Sequence, residues 1–247
     1  MKSPLTRKII GYVFAVAFIL AGWWITAMIA QSPALPAPQE AIGVLIANIG
    51  QIVPYFATSA WRVVISLAIG TALAVPIAQM CARSQTLDTL FAPVLYLLYP
   101  IPKVVLLPIL LVLFGLAGAP KIVLITLTVF FQVLVAVRDA VRAVPESAQI
   151  AVRSLGGSRW DEYRHVTMPA TLPAVFTSLR IGVGTAIAVL FIAEAMAGST
   201  GLGYYIMNSW SSVNYPRMFA GIIAMAVLGV VLYAIFDIIE RKLTRWA

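Results

Sequence analysis

Cysteine and histidine are almost absent from this 247-residue chain, which has one of each, Cys81 and His165. A single cysteine excludes an intrachain disulfide, and the pair is too few for a metal site of the usual Cys/His spacing or a Cys–His catalytic pair. The sequence also lacks a GxxxxGK[ST] phosphate loop, a GxGxxG turn and an HExxH motif. We therefore expect no metal, no cofactor and no catalytic residue in this chain.

Charge is scarce as well: 11% of residues are charged and 62% are hydrophobic, with a mean hydropathy of +0.97. Soluble domains carry about a quarter charged residues. The nine carboxylates are scattered, and none forms a pair within an apolar run, so the sequence does not support acid–base catalysis. The composition predicts an all-α, polytopic membrane protein.

About six apolar runs approach or exceed the ~20 residues that cross a bilayer. We predict spans at Ile9–Ala30, Ser59–Ala82, Leu90–Leu116, Ile122–Val137, Leu172–Met196 and Met218–Ile238. The third contains four prolines, which interrupt helix hydrogen bonds. Its Tyr99–Lys103 stretch is expected to be a break that faces the protein interior, and the alternative is a kink used only for packing.

The amino-terminal run admits a second interpretation, a cleaved signal peptide. Its length of about 22 residues favours a span, because the apolar part of a signal peptide has about 7–15 residues. We predict three regions: 1–57, a first span with an extracytoplasmic segment; 58–240, the core transmembrane domain; and 241–247, a basic cytoplasmic tail.

The net charge of +8 comes from short basic segments between apolar runs, so it does not indicate nucleic-acid binding. Twelve of the 17 Lys and Arg residues fall at the two termini, at Arg83 and in the loop 138–168, whereas only Lys121 and Arg217 lie in the opposite loops. By the positive-inside rule both termini are cytoplasmic. The sequence shows no internal duplication, which weakens a secondary transporter built from inverted repeats.

The loop 138–168 has the local pattern of a helix-turn-helix. Pro145 and Glu146 suit the first turn of a helix that runs to about Leu155. Gly156-Gly157 can end that helix, and Ser158–Asp161 can start a second one, which Pro169 is expected to end.

Side chains of this helix-turn-helix suggest two sets of contacts. Trp160, Tyr163 and Val166 are expected to be buried, and Arg153, Arg159 and Arg164 are expected to face a partner. The alternative is an amphipathic element held to lipid headgroups.

Several ordered motifs resemble the permease subunits of ABC importers. Gly156, nine residues and Val166-Thr-Met-Pro169 resemble the second half of the EAA signature of that family. Leu179-Arg-Ile-Gly182, Ala193-Glu194, Gly201-Leu-Gly-Tyr204 and Tyr99-Pro-Ile-Pro-Lys103 resemble its nitrate/sulfonate/taurine branch. The resemblance covers about residues 59–233.

This resemblance implies a transport subunit in a bacterial inner membrane. Its expected partners are cytoplasmic ATPase subunits that bind ATP and Mg²⁺, an extracytoplasmic solute-binding protein, a second permease chain and membrane lipid. The helix-turn-helix would then be the coupling helix that docks in the ATPase. The coupling residues implied are Glu146, Ile150, Ala151, Val152, Leu155, Gly156, Gly157, Ser158, Arg159 and Pro169.

One position departs from the family pattern. The Glu-Ala-Ala of the signature falls on Ile150-Ala151-Val152, so the acidic member is missing. Glu146 precedes Ile150 by one helical turn on the same face, and we hypothesise that it supplies the acidic contact.

Four residues are predicted to belong to the translocation pathway: Tyr99, Lys103, Arg180 and Glu194. Charges at bilayer depth are costly and often functional, so Lys103 and Arg180 would favour a small polar, anionic solute. The alternative is that both snorkel or form structural pairs. Arg62 is expected to anchor the outer end of the second span, and Glu194 to lie in a gate or a docking surface near the outer mouth.

Two other functions remain as alternatives. A secondary carrier or channel would have no ATPase partner, and a membrane-embedded enzyme would need an intramembrane acid, base or nucleophile cluster that the sequence does not contain. The solute itself, and whether the permease pairs with itself or with a relative, cannot be read from the residues.

Overall fold

The apolar runs fold into helices that are longer than the runs themselves. The computed structural model describes the backbone of residues 4–244 and the side chains of residues 10–244, and this part of the chain contains no strand. Its α-helices are α1 (Pro4–Ala30), α2 (Pro38–Ala47), α3 (Ile49–Arg83), α4 (Gln85–Leu98), α5 (Leu107–Phe114), α6 (Ala119–Arg142), α7 (Glu146–Ser154), α8 (Arg159–Glu162), α9 (Met168–Ala197), α10 (Leu202–Ser211) and α11 (Tyr215–Leu243). A 3₁₀ turn (Lys103–Leu106) precedes α5, and a π turn (Tyr163–Thr167) joins α8 to α9.

Five of these helices are long and apolar enough to cross a membrane: α1, α3, α6, the continuous Arg159–Ala197 helix, and α11. A sixth span is possible if α4 and Lys103–Phe114 count as one, bent by 85°. The prediction of about six spans, with a broken third one, is confirmed. The break follows Leu98, where Pro100 and Pro102 cannot donate helix hydrogen bonds.

Contacts between helices define two ends of the bundle. At the basic end, α3, α6 and α11 finish and α9 begins, and Arg83 donates to the Thr167 hydroxyl at 2.8 Å. At the far end, Arg62 of α3 meets Glu194 of α9 at 2.6 Å. Successive long helices therefore run in opposite directions between these two ends.

The core lies where α3, α6 and α9 pack against one another, with α10 and α11 covering one side. Its fully enclosed side chains include Val63, Leu67, Ile125, Val129, Val133, Ala186, Leu190, Leu202 and Leu228. Helix α1 is mostly exposed and attaches through Trp23, whose indole N–H donates to the Pro36 carbonyl at 3.1 Å and whose ring stacks on Phe219. An exposed apolar helix of this kind is expected to face lipid or another membrane protein.

Several predicted boundaries were wrong. The helix that contains the second span begins at Ile49 rather than Ser59, so the proposed boundary at 57/58 falls inside α3. The segment 83–89, which lies between the second and third predicted spans, contains a helix start, because the Ser84 hydroxyl accepts from the Leu87 N–H and caps α4. The loop expected after Met196 contains α10.

The terminal basic segments are only partly described. Arg241 and Lys242 form the last turn of α11, so the proposed tail begins as helix. Arg245 and the side chains of Lys2, Arg7 and Lys8 lie outside the described residues.

Candidate functional site

The helix-turn-helix predicted in the loop is present, and its turn has a defined hydrogen-bond pattern. Helix α7 ends in a Schellman motif: the Gly157 N–H donates to the Val152 carbonyl at 3.0 Å and the Gly156 N–H to the Arg153 carbonyl at 2.9 Å. Gly156 has φ +80°, which side-chain-bearing residues rarely adopt. At Gly157 a Cβ would lie 2.8 Å from the Val152 oxygen. Gly156 is therefore required for its positive φ, and Gly157 because a side chain there would collide with Val152.

The second helix starts in a capping box. The Asp161 N–H donates to the Ser158 hydroxyl at 3.2 Å, and the Ser158 N–H donates to the Asp161 carboxylate at 2.8 Å. Beyond Glu162 the chain takes a π turn and continues directly into α9. The prediction that Pro169 ends this helix was wrong: Pro169 lies just after the π turn, and the helix continues through it to Ala197.

Polar contacts fix the two short helices to each other and to the bundle. Arg153 of α7 pairs with Glu162 of α8 at 3.0 Å, and the hydrogen bond from Arg153 to this carboxylate raises the pKa of the guanidinium. Arg83, at the end of α3, lies over the Tyr163 ring at 5.1 Å. The helix-turn-helix formed by α7 and α8, called the motif below, is thus fixed to the ends of the spans.

The surface of the motif is apolar where the two helices meet. Leu155 is 89% exposed and Trp160 63%, whereas Tyr163 and Val166 are partly buried. The prediction that Trp160 is buried was wrong: its ring lies 5.2 Å from the Tyr163 ring, tilted by 36°, and most of the residue stays exposed. Two large exposed apolar side chains within six residues of a polar helix-turn-helix are typical of a contact site for another protein.

The other predicted coupling residues take several environments. Glu146, Ile150, Ala151, Gly156, Ser158 and Arg159 are exposed, and Val152, Gly157 and Pro169 are partly buried. Glu146 and Ile150 share a face of α7 by their spacing of four. The hypothesis that Glu146 replaces the missing acidic residue stays a prediction.

Lys103 and Tyr99 lie at the break of the third span, on the surface of the chain. The Lys103 ammonium donates to the Leu98 carbonyl at 2.6 Å and the Ile101 carbonyl at 2.8 Å, and it lies 4.7 Å from the centre of the Phe131 ring. It is therefore a donor to carbonyls at the break, and the Leu98 carbonyl also accepts from the Ile101 N–H at 3.2 Å. Tyr99 is 52% exposed beside it.

Arg180 forms the structural pair that was the alternative to a pathway role. Its guanidinium lies 3.2 Å from Asp237 and 3.1 Å from Glu240, both on α11. Two carboxylates balance its charge, so Arg180 gives this face no net positive character. Of the two predicted pathway cations, only Lys103 has no carboxylate within salt-bridge distance among residues 10–244.

Glu194 is fully enclosed, so it does not lie on a docking surface, and its place in a gate stays a prediction. It pairs with Arg62 at 2.6 Å and accepts from the Ser59 hydroxyl at 2.8 Å and the Gly203 N–H at 2.9 Å. The same Ser59 hydroxyl accepts from the Leu202 N–H at 2.8 Å. Glu194 and Ser59 thus satisfy the first N–H groups of α10, which have no partner within that helix.

Sequence reasoning missed this cluster and the helix it caps. Leu202, Tyr205, Ile206 and Ser209 are buried at spacings of three and four, the helical signal that the glycine and serine content of the segment concealed. Gly201 has φ +98°, and a Cβ there would lie 2.2 Å from the Glu194 carboxylate. Nothing in the sequence pairs Ser59 or Arg62 with a residue more than 130 positions away.

Curated relatives match nearly the whole chain. The taurine transport system permease protein of Escherichia coli is 29% identical over 99% of this chain and 92% of its own length. A putative aliphatic sulfonates transport permease protein of Bacillus subtilis is 29% identical over 80% of this chain and 71% of its own length. The riboflavin transport system permease protein of Chloroflexus aurantiacus is 29% identical over 67% of this chain.

Solved structures share the fold. A chain of the MetNI methionine ABC transporter in an inward-facing conformation superposes with a TM-score of 0.66 at 18% identity, covering 80% of this chain and 98% of that one. An amino acid ABC transporter gives a TM-score of 0.57 at 19% identity. Residues 70–245 match the family described as "Binding-protein-dependent transport system inner membrane component". The chain, a multi-pass transport subunit of the ABC importer type, therefore belongs to the binding-protein-dependent transport system inner membrane component family.

Proposed function

We propose that this chain forms the membrane pathway of a bacterial inner-membrane importer for small organic sulfonates and that its helix-turn-helix docks in a cytoplasmic ATPase. Family membership makes an ATPase and a binding protein its general partners. A carrier without ATPase partners is disfavoured by the same membership.

The observation that carries the docking proposal is the exposed apolar surface on a rigid motif. Leu155 projects from the turn at 89% exposure, and Trp160, in the first turn of α8, is 63% exposed. The Schellman motif, the capping box and the Arg153–Glu162 pair hold these side chains in place. Rigidity matters because only contacts that differ between two states of the ATPase can shift the conformation of the permease.

The solute proposal has separate support. Relatives named for taurine and for aliphatic sulfonates match 80% or more of the chain. A sulfonate is a small anion, and Lys103 supplies the positive charge at the break of the third span. A second permease chain, either a copy of this one or a relative, would complete the pathway around the exposed faces of α4 and α5.

Co-purification tests the docking proposal. The ATPase is expected to remain bound to the wild-type chain and to be lost from a Leu155→Ser/Trp160→Ala double variant, because the contact loses its apolar anchors. Val213→Ser, which changes an exposed valine in the α10–α11 connection at the far end, is the matched control and should keep the ATPase. Equal retention by both variants would contradict the proposal.

Uptake into reconstituted vesicles tests the solute. With the cognate binding protein and ATP present, labelled taurine or another alkanesulfonate should accumulate, and nitrate or riboflavin should not compete. Accumulation of riboflavin with no competition from sulfonates would overturn the solute class and leave the docking result standing.

A further inference from the structure

A cavity of about 730 Å³ lies at the basic end, between the motif and the ends of the spans. The ends of α3 and α6 form one wall, and α7, α8 and their turn form the other. Its lining residues are Ala82, Arg83, Val141, Arg142, Val144, Gln149, Arg153, Gly157, Arg159 and Glu162. The size is that of a small-molecule site.

Four arginines face one carboxylate in this lining, so the cavity is strongly positive. Arg153 pairs with Glu162, and Arg142 pairs with Asp88 outside the cavity. Arg83 donates only to the neutral Thr167 hydroxyl, and Arg159 forms no ion pair with the side chains described from residue 10 onward. Two guanidinium groups therefore remain available to an anion.

The cavity lies at headgroup depth. Arg83 is the last residue of α3 and Arg142 the last of α6, and both helices are apolar enough to span the membrane. Basic pockets between helices at the cytoplasmic surface bind anionic lipid headgroups. Arginine suits such a ligand, because its planar fork matches phosphate oxygens.

We propose that this cavity binds the phosphate group of an anionic phospholipid. The headgroup would join Arg83 at the end of α3 to Arg159 at the start of α8. It would thereby brace the motif from its membrane side, and the apolar surface around Leu155 would remain free. This site is independent of the transported solute.

Lipid retention tests the proposal on the assembly purified from membranes with whatever ATPase it retains. We expect native mass spectrometry from equimolar phosphatidylglycerol and phosphatidylcholine to show several-fold preferential retention of phosphatidylglycerol. An Arg83→Gln/Arg159→Gln double variant should lose the preference, and Arg83→Lys/Arg159→Lys should keep most of it. Arg164→Gln, which changes an exposed arginine of the π turn outside the cavity lining, is the matched control and should keep the wild-type lipid preference.

Other results would overturn the proposal. If the wild type showed no preference for phosphatidylglycerol, there would be no anionic lipid site. If Arg164→Gln lost as much of the preference as the double glutamine variant, lipid retention would depend on the overall positive charge of the surface and not on this cavity. If excess inorganic phosphate abolished the preference, the ligand would be free phosphate. If the isolated chain showed the preference and its complex with the ATPase did not, acidic side chains of the ATPase would be the occupant. Unchanged thermal unfolding of both double variants separates loss of binding from loss of fold.

Discussion

At the scale of single residues, the most demanding feature is the Arg62–Glu194 pair, which is enclosed within the chain. Burying two charges is costly, and the cost is offset only when every polar group finds a partner. Here Ser59, Gly203 and Thr200 complete the set, since Arg62 also donates to the Thr200 hydroxyl at 2.8 Å. Removing one charge of the Arg62–Glu194 pair should therefore destabilise the protein more than removing both.

Glu194→Ala should destabilise the protein by about 3–5 kcal/mol, because it leaves Arg62 buried and without a carboxylate. The Arg62→Gln/Glu194→Gln double variant should be less destabilised than the sum of its single variants. Thermal unfolding in detergent measures both. Glu40→Ala removes an exposed carboxylate of α2 as the control, and additive single effects would contradict the coupling.

Gly157→Ala should weaken transport and coupled ATP hydrolysis by distorting the turn, because the added Cβ would lie 2.6 Å from the Val152 side chain and 2.8 Å from its carbonyl. Assembly in the membrane should persist. Gly43→Ala, at a glycine with open space around it, is the control and should transport normally. Normal coupling in Gly157→Ala would show that the turn tolerates a shift.

Local chemistry of the motif could be read from the sequence, and long-range pairing could not. The glycine stop and the Ser158–Asp161 cap depend on neighbours within a few positions, so their residue types identify them. The partner of Glu194 depends on how α3 and α9 pack. Its burial was missed because a carboxylate beside a glycine-rich segment has the appearance of a surface residue.

At the scale of helices, the position of α10 depends on two glycines and one carboxylate. Gly201 adopts φ +98° directly before the helix, and Glu194 accepts from the second residue of it. The buried face of α10 then packs on α11 and α9. A change at Gly201 should therefore displace the whole helix rather than a single side chain.

Gly201→Ala should expose the buried face of α10, since both the positive φ and the contact with Glu194 oppose a Cβ. To measure this exposure, Ser209 on the buried face is replaced by cysteine in a Cys81→Ala background. Maleimide should label that cysteine faster when Gly201→Ala is also present. Gly50→Ala, which meets open space at the start of α3, should leave the labelling rate unchanged. Slow labelling in Gly201→Ala would mean that α10 accommodates the side chain.

The existence of the spanning helices was predictable, whereas their length and the short helix α10 were not. Apolar runs located every span, but α3 begins ten residues before its predicted start, since Ile49–Thr58 is helical without being continuously apolar. The π turn was also missed. It keeps Arg159–Ala197 continuous where Pro169 had suggested an end.

At the scale of the whole molecule, charge distribution predicts the orientation. The basic end carries Arg83, Arg142 and the arginines of the motif, and the far end carries Lys121 and Arg217. Arg83, Arg142, Arg153 and Arg159 line one cavity at the basic end, and at the far end Arg217 donates to Gln51 near the start of α3. Which end faces the cytoplasm stays a prediction from the positive-inside rule.

Cysteine labelling of intact cells decides the orientation. In a Cys81→Ala background, a membrane-impermeant maleimide should label Val213→Cys in whole cells and Leu155→Cys only after lysis. Both sites are well exposed, at 68% and 89%, so access rather than burial determines the result. Labelling of Leu155→Cys in intact cells would reverse the topology.

The unbroken helix from Arg159 to Ala197 has a mechanical consequence. At 1.5 Å per residue its 39 residues extend about 58 Å, from the motif at one surface to Glu194 near the other. If it moves as a rigid rod, a tilt of about 5° at the basic end carries the opposite end through about 5 Å, given that length. This displacement is close to the rise of one helical turn. It would move the Glu194 carboxylate, which caps α10, so a tilt at one surface of the protein would be transmitted to the other.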